Sequence, residues 1–227
     1  TVTRLKPSNW KNPLEPPDLV TPYQVEVPQE NREKMEELKA SAGDVVAYLE
    51  VPGTSINDVI VQYSGDDLAY VRANGQYYYE RKDIYGNYKW EGFFFMDFED
   101  RIGSGSAAEM PQNTILYGHH LGNPQGVTND PNGAMFAPLL FFREEEFATK
   151  TPYIYLTTES EDLIYQVFAA GDMQTVTRPV EYNLAQYTAE QFTQLIEDMR
   201  RRSYFLYPDV EVSPGDKLLT LSTCIYD

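Results

Sequence analysis

Short β-prone segments recur along most of the chain, and they constrain the fold more than any other feature. Residues 45–51 alternate with a period of two, and Pro52-Gly53 ends this run as a turn. Further runs rich in β-branched and aromatic residues are 59–61, 93–95, 114–117, 153–156, 163–169 and 218–223. Seven strands at irregular spacing, with few helices between them, predict a mainly β fold: a closed or nearly closed barrel of seven to eight strands.

Three helices are predicted beside these strands. A short helix at 29–40 precedes the first strand, and apolar residues recur on one helical face at 133–142. The third helix, at 188–202, lies between the two last strands. Its apolar residues follow the i, i+3, i+4, i+7 rule, and Thr188 with Gln191 is a capping-box signature.

The first 28 residues differ in composition from the rest of the chain. Six of the 15 prolines lie there, which predicts an extended arm at 1–28 followed by a single domain at 29–227. The longest apolar run, at 134–142, has nine residues including Pro138 and is far too short for a membrane span. Because there is neither a signal-peptide pattern nor an initiator Met, we expect this sequence to be the soluble part of a longer protein.

The composition excludes several classes of function. The 18 Lys and Arg residues against 35 Asp and Glu give a net charge of −17, which argues against a nucleic-acid binder. A single Cys excludes a disulfide scaffold and a thiolate zinc cluster. The acidic clusters at 97–100, 144–146 and 159–162 lack the spacing of a calcium loop, so we interpret them as solvated loops or helix starts. The sequence predicts no metal and no cofactor.

The only Cys and the only two His residues each follow an apolar strand. Cys224 ends the run 217–224, and His119 and His120 follow Tyr117-Gly118. A lone Cys is usually a small buried hydrophobe, but a thiol and an imidazole at strand ends together supply an activated nucleophile. Alternation along the chain places the two rings on opposite sides, so only one of them can face Cys224.

Two motifs surround these residues. The run Thr220-Leu221-Ser222-Thr223-Cys224 resembles the Thr-Leu-x-Thr-Cys signature of sortases, the cell-wall transpeptidases of Gram-positive bacteria. The run Leu116-Tyr117-Gly118-His119 is similar to the strand-Gly-His element that carries their catalytic histidine. Ser222 at the variable position, the N-terminal and late helices, and the stretches 43–54 and 133–136 resemble class B sortases in particular. The resemblance covers most of the chain from 43 to 224.

The resemblance implies a sortase-like β-barrel and a cysteine transpeptidase. Such an enzyme cleaves a C-terminal sorting-signal pentapeptide of surface proteins after its Thr and holds the acyl group as a Cys224 thioester. His119, which directly follows the Gly, would move the protons, and an amine of peptidoglycan or of a pilin would accept the acyl group. The residues that would contact the peptide are Ser222, Tyr182, Leu184, Val71 and His120. The family also implies a single-pass N-terminal anchor, absent from this sequence, that holds the domain at the outer face of the cytoplasmic membrane.

The sequence departs from the family pattern at one point. Sortases carry an essential Arg several residues beyond the Cys, at the start of a final strand, whereas this sequence stops at Asp227. We expect a truncation, because omitting a barrel strand would expose two edges. Arg143 and Arg178 are the internal arginines considered for that role. The alternatives are a sortase-like barrel that only binds surface proteins and, less favoured because its Cys would precede its His, a papain-like peptidase.

Overall fold

The computed structural model describes residues 25–65, 78–123, 126–173 and 182–225. The predicted arm at 1–28 lies outside these ranges except for its last four residues. The helices within the described ranges are α1 (Gln29–Ser41), α2 (Glu145–Lys150), α3 (Ala189–Arg202) and the 3-10 helices Tyr78–Arg81 and Ala137–Arg143. None of these helices is long and apolar enough to cross a membrane.

Most described strands belong to one curved sheet. The strands are β1 (Val45–Glu50), β2 (Asn57–Val61), β3 (Phe95–Met96), β4 (Asn113–Tyr117), β5 (His120–Leu121), β6 (Ala134–Met135), β7 (Tyr153–Thr158), β8 (Asp162–Gln166) and β9 (Leu218–Ser222). Seven of them form the sheet in the order β8-β7-β1-β2-β3-β4-β9, and β5 pairs with β6 separately. The pairs β2–β3 and β4–β9 are parallel, and the other pairs are antiparallel.

The two edges of this sheet approach each other around a shared core. Leu163 on β8 and Leu221 on β9 pack against the same buried cluster, which includes Leu49, Ile60 and Leu116. A flat sheet could not bring its outermost strands to one core, so the sheet curls into a nearly closed barrel. Among the described residues, the seam between β8 and β9 has no strand pairing. The predicted mainly β, seven-stranded barrel with an N-terminal helix and a helix between the late strands is confirmed.

Strand β1 departs from simple alternation because it is covered on both sides. Ala47 and Leu49 face the barrel core, while Val45 and Tyr48 pack under α1 in a second cluster with Met35. The helix predicted before the first strand therefore covers the outer face of β1. Burial on both sides explains why Tyr48 is inaccessible although its position alternates with that of Leu49.

The helix predicted at 133–142 is wrong. Its first part forms β6, and only Ala137–Arg143 is helical, in the tighter 3-10 form. Met135 has a φ of 60°, and the amide of Phe136 donates to the carbonyl of His119 at 2.8 Å. Because these backbone groups are used for pairing with the segment after β4, they cannot join an α-helical hydrogen-bond ladder.

The late helix begins and ends as the sequence predicts. Thr188 accepts from the amide of Gln191 at 3.2 Å, and the side chain of Gln191 accepts from the amide of Thr188 at 2.9 Å. The apolar face of α3 is buried through Phe192, Leu195 and Ile196. This reciprocal cap fixes where the preceding segment ends, and that segment borders the candidate site.

Candidate active site

The parallel pairing of β4 with β9 brings the His and Cys motifs together. The last registered pair is Tyr117 with Ser222, so His119 and Cys224 each stand two residues beyond it. The amide of Gly118 donates to the carbonyl of Ser222 at 3.3 Å, and the hydroxyl of Thr223 donates to the carbonyl of Gly118 at 2.7 Å. Segments more than 100 positions apart in sequence thus leave the sheet side by side, at the same end of two strands.

Gly118 is required at its position by close packing. A Cβ there would lie 2.9 Å from the rings of both Phe94 and Phe136, which stack on each other. Because real Cβ contacts are longer, any other residue would displace the ring pair or the strand end. This packing gives a physical reason for the Gly that precedes His119.

Cys224 is a free, exposed thiol just beyond the end of β9. It borders a cleft of about 1000 Å³ that is also lined by His119, His120, Ser222 and Tyr182. The cleft extends along the seam, since Leu163 on β8 and Leu219 on β9 line it as well.

His119 is held by the 3-10 helix Tyr78–Arg81. Its Nε2 lies 2.9 Å from the carbonyl oxygen of Glu80, and His119 is partly exposed. A carbonyl oxygen can only accept, so Nε2 carries the proton and Nδ1 is the basic nitrogen of the neutral ring. The hydrogen bond therefore selects one tautomer and orients the imidazole at the cleft.

His120 has a different environment. It is only 1% exposed, and burial lowers the pKa of its ring, as does the charge of Arg143, while backbone groups of Thr128 and Cys224 act in the opposite direction. The adjacent rings thus contact different segments, and it is His120 whose ring interacts with the backbone of Cys224. A buried ring with a lowered pKa is suited to a neutral, positioning role rather than to taking up a proton.

A side-chain clip that the sequence analysis missed holds the segment before α3. The buried Asn113, first residue of β4, donates to the carbonyls of Tyr182 and Leu184 at 2.7 and 3.4 Å. Its own carbonyl oxygen accepts from the hydroxyl of Thr220 on β9 at 2.7 Å. Gln112 accepts from the amide of Tyr187 at 2.9 Å. The only signal in the sequence was a polar pair at the start of an apolar strand.

The predicted peptide-contact residues are only partly brought together. The hydroxyls of Tyr182 and Ser222 are 3.3 Å apart at the cleft, which His120 also lines. Leu184 is not among the described residues that line the cleft; its amide donates to the Tyr187 hydroxyl at 3.1 Å. Val71 lies outside the described residues.

Of the two arginines considered, only Arg143 can be placed, since Arg178 lies outside the described residues. Arg143 forms an ion pair with Asp172 at 2.8 Å and donates to the hydroxyl of Tyr204 at 3.0 Å. The hydrogen bond to Tyr204 raises the pKa of the guanidinium, with the charge of Asp172 acting in the same direction. Arg143 is thus engaged with a carboxylate near the cleft.

One acidic cluster is not solvated, contrary to the prediction. Asp97 and Asp100 are buried behind β4, where Asp97 accepts from the hydroxyl of Tyr117 at 2.9 Å and Asp100 accepts from the amide of Ile115 at 2.6 Å. Burial raises the pKa of both carboxyls, that of Asp100 to about 7. These carboxyls accept hydrogen bonds from a backbone amide and a hydroxyl of β4. The run Asp-Phe-Glu-Asp does not predict these contacts, because the donors are distant in sequence.

The other two acidic clusters are exposed as predicted, and Glu145 begins α2. Within the described part of the chain, no three His, Cys, Asp or Glu side chains are arranged to hold a metal ion.

Comparisons with known proteins agree on one group of relatives. No family model matches the chain. Sortase B of Staphylococcus aureus (strain NCTC 8325 / PS 47) is 27% identical over 193 residues, which cover 85% of this chain and 68% of that protein. The solved Staphylococcus aureus sortase B–substrate complex has a TM-score of 0.67 at 26% identity, covering 87% of this chain and 80% of that one. A sortase B complexed with triglycine has a TM-score of 0.62 at 25% identity, covering 86% and 78%.

Proposed function

The chain is a member of the sortase family of cysteine transpeptidases, most similar to class B, and from this premise we propose its reaction. It cleaves a C-terminal sorting signal of secreted surface proteins after Thr and transfers the acyl group to an amine of the cell wall or of a pilin. The single observation that carries the proposal is the β4–β9 register, which sets the Gly-His and Thr-Cys ends side by side at one cleft.

The first half-reaction uses the two groups at the strand ends. His119 takes the thiol proton of Cys224, the resulting thiolate attacks the Thr carbonyl, and the tetrahedral intermediate collapses to a thioester as the C–N bond breaks. His119 gives a proton to the departing amine. The hydrogen bond between Nε2 and the Glu80 carbonyl supports this role, since it leaves Nδ1 as the nitrogen that exchanges the proton.

The second half-reaction reverses the proton movement. The acceptor amine attacks the thioester carbonyl, His119 takes its proton, and the C–S bond breaks to regenerate Cys224. Because the thioester conserves the energy of the cleaved peptide bond, no cofactor is needed. The solved relatives complexed with substrate and with triglycine support a peptide donor and an amine acceptor for this chain.

The peptide is proposed to lie along the wall that contains Tyr182 and Ser222. Their paired hydroxyls offer hydrogen bonds beside the nucleophile, and the His120 ring interacts with the Cys224 backbone. Leu184 and Val71 complete the proposed contacts, as the family resemblance implies. The relatives further support a place at the surface of a Gram-positive cell. We propose, as the family resemblance implies, that the domain is tethered to the outer face of the cytoplasmic membrane.

Mass spectrometry of the intact protein tests this proposal. With a library of sorting peptides, the wild-type chain should gain the mass of the N-terminal peptide fragment on Cys224, and an added amine should discharge it as an amide. Cys224→Ala should show no adduct and no cleavage while its circular dichroism is unchanged. Cleavage by Cys224→Ala would rule out the thioester, and hydrolysis unaffected by the amine would indicate a peptidase.

A further inference from the structure

The segment 78–93, called here the aromatic hairpin, exposes three large aromatic side chains to solvent. Tyr85, Tyr88 and Trp90 are 58%, 76% and 59% exposed, which makes them the most exposed large hydrophobic side chains of the described residues. All three fall within six positions of one another. Single exposed apolar residues are ordinary on protein surfaces, but a cluster of large rings marks a binding surface.

The backbone of the aromatic hairpin holds these rings in fixed positions. The amide of Asp83 donates to Asn87 at 2.9 Å, and that of Lys89 donates to Arg81 at 3.0 Å. Gly92 has a φ of +62°, and a Cβ there would lie 2.3 Å from the carbonyl oxygen of Glu80, so only Gly allows the two arms to close. A surface ordered before binding loses less conformational entropy when a ligand arrives.

Cations line the same surface, although the protein is strongly acidic. Three of the chain's 18 Lys and Arg residues fall at 81–89, in a molecule with a net charge of −17. Arg81 stacks over Trp90 at 4.1 Å, and Lys82 lies over Tyr78 at 3.7 Å. Three acids of the same segment, Glu80, Asp83 and Glu91, balance these cations. The aromatic hairpin therefore has no net charge and repels an anionic ligand less than the rest of the molecule does.

The aromatic hairpin adjoins the cleft on the side of His119. Its Glu80 both lines the cleft and accepts the hydrogen bond that orients His119. In the proposed reaction, His119 takes the proton of the attacking amine. The peptide wall, with Tyr182 and Ser222, is formed by other segments. The aromatic hairpin thus reaches the cleft beside His119 through Glu80, and Tyr85, Tyr88 and Trp90 are not among the described residues that line the cleft.

We propose that the aromatic hairpin binds the sugar portion of the cell-wall acceptor, a glycan-linked peptide that carries both carboxylates and the attacking amine. The negative faces of Tyr85, Tyr88 and Trp90 take the positively polarised C–H faces of pyranose rings. Arg81 and Lys89 pair with the carboxylates. The inference rests on the proposed transfer to a cell-wall amine. It assigns the glycan of the acceptor to the aromatic hairpin, while the attacking amine is deprotonated by His119.

The test compares two acceptors, a soluble disaccharide-peptide fragment of peptidoglycan and the same peptide without sugar. Trp90→Ala and Tyr88→Ala should lower kcat/KM for the disaccharide-peptide by about tenfold and leave the sugar-free peptide unchanged. The matched controls Trp90→Phe and Tyr88→Phe keep a ring and should stay within about threefold of wild type. Equal losses with both acceptors, or no loss with either, would overturn the proposal.

Two further measurements separate this proposal from its rivals. Calorimetric binding of the disaccharide-peptide to Cys224→Ala needs no turnover, so weaker binding in the added Trp90→Ala background supports the glycan site even if the proposed reaction fails. Sedimentation with vesicles of phosphatidylglycerol tests a membrane surface instead. If the alanine variants lose vesicle binding but keep their affinity for the disaccharide-peptide, the aromatic hairpin is a membrane contact and the glycan site is wrong.

Discussion

The two walls of the cleft are held in place by different means. The aromatic hairpin on the His119 side is closed by hydrogen bonds between its own backbone groups. The segment 182–187 on the Ser222 side, called here the clipped wall, is held by the side chains of Gln112 and Asn113 and by one backbone bond, from the amide of Asn113 to the carbonyl of Ala185 at 3.2 Å. A backbone-bonded wall survives most single substitutions, whereas a clipped wall can be released by the loss of one carboxamide.

The largest expected effect separates the two histidines. His119→Ala should reduce kcat/KM by about 10²–10⁴-fold, the usual contribution of a general acid–base group. His120→Ala should cost about tenfold or less in turnover, because a buried ring with a lowered pKa acts by positioning. Steady-state cleavage of a sorting peptide measures both, with thermal melts to confirm folding.

The reverse ranking would move the catalytic role to His120. Glu80 provides an internal check, because its contact with His119 is made through a backbone carbonyl. Glu80→Gln leaves that carbonyl in place and should keep the turnover of wild type. A large loss in Glu80→Gln would show that the hairpin side depends on a side chain, which contradicts the comparison between the walls.

The proximity of the ends of β4 and β9 could be predicted, because β4 leads to His119 and β9 to Cys224, and a thiol nucleophile requires a nearby imidazole. Thr188 with Gln191 likewise predicted the start of α3, because both members of a capping box lie within four residues of sequence. The helix at 133–142 failed because its backbone pairs with residues near His119, a contact that apolar spacing does not encode. The role of Asn113 was not predicted for a related reason, since its partners Tyr182 and Thr220 are distant in sequence.

A smaller effect is expected from releasing the clipped wall. Asn113→Ala leaves the carbonyls of Tyr182 and Leu184 without their donor, which should cost about 1–3 kcal/mol of stability. If the clipped wall is loosened, part of the free energy of peptide binding is used to order it. KM for the sorting peptide should therefore rise about tenfold with little change in kcat. Peptide-cleavage kinetics over a range of concentrations measure this split.

Thr220→Val is the matched control for the clip. It removes the hydrogen bond that Asn113 accepts from β9 but leaves the three bonds that the Asn113 side chain donates to the wall. KM should therefore change by less than about threefold. If both variants raise KM equally, the effect passes through β9 and the Cys224 end rather than through the wall.

The smallest expected effect on turnover concerns β4, the strand that begins at Asn113 and ends two residues before His119. Asp100 accepts from the amide of Ile115 in the middle of β4, and burial raises its pKa to about 7. The folded state therefore retains a proton between roughly pH 4 and pH 7 that the unfolded chain has released. Stability should fall as the pH rises through this window, by no more than about 4 kcal/mol, and stay level with respect to this group on either side.

Asp100→Asn tests this account, because an amide still offers Ile115 an oxygen acceptor but cannot ionise. Urea unfolding at pH 4.5, 6 and 8 should show the wild type losing stability with rising pH relative to Asp100→Asn, so the gap between them widens toward pH 8. The exposed Asp209, changed to Asn, is the control and should run parallel to wild type. A constant gap would show that Asp100 keeps one protonation state throughout. If the KM values of Asp100→Asn match those of wild type at pH 8, the charge behind β4 governs stability alone and both walls keep their geometry.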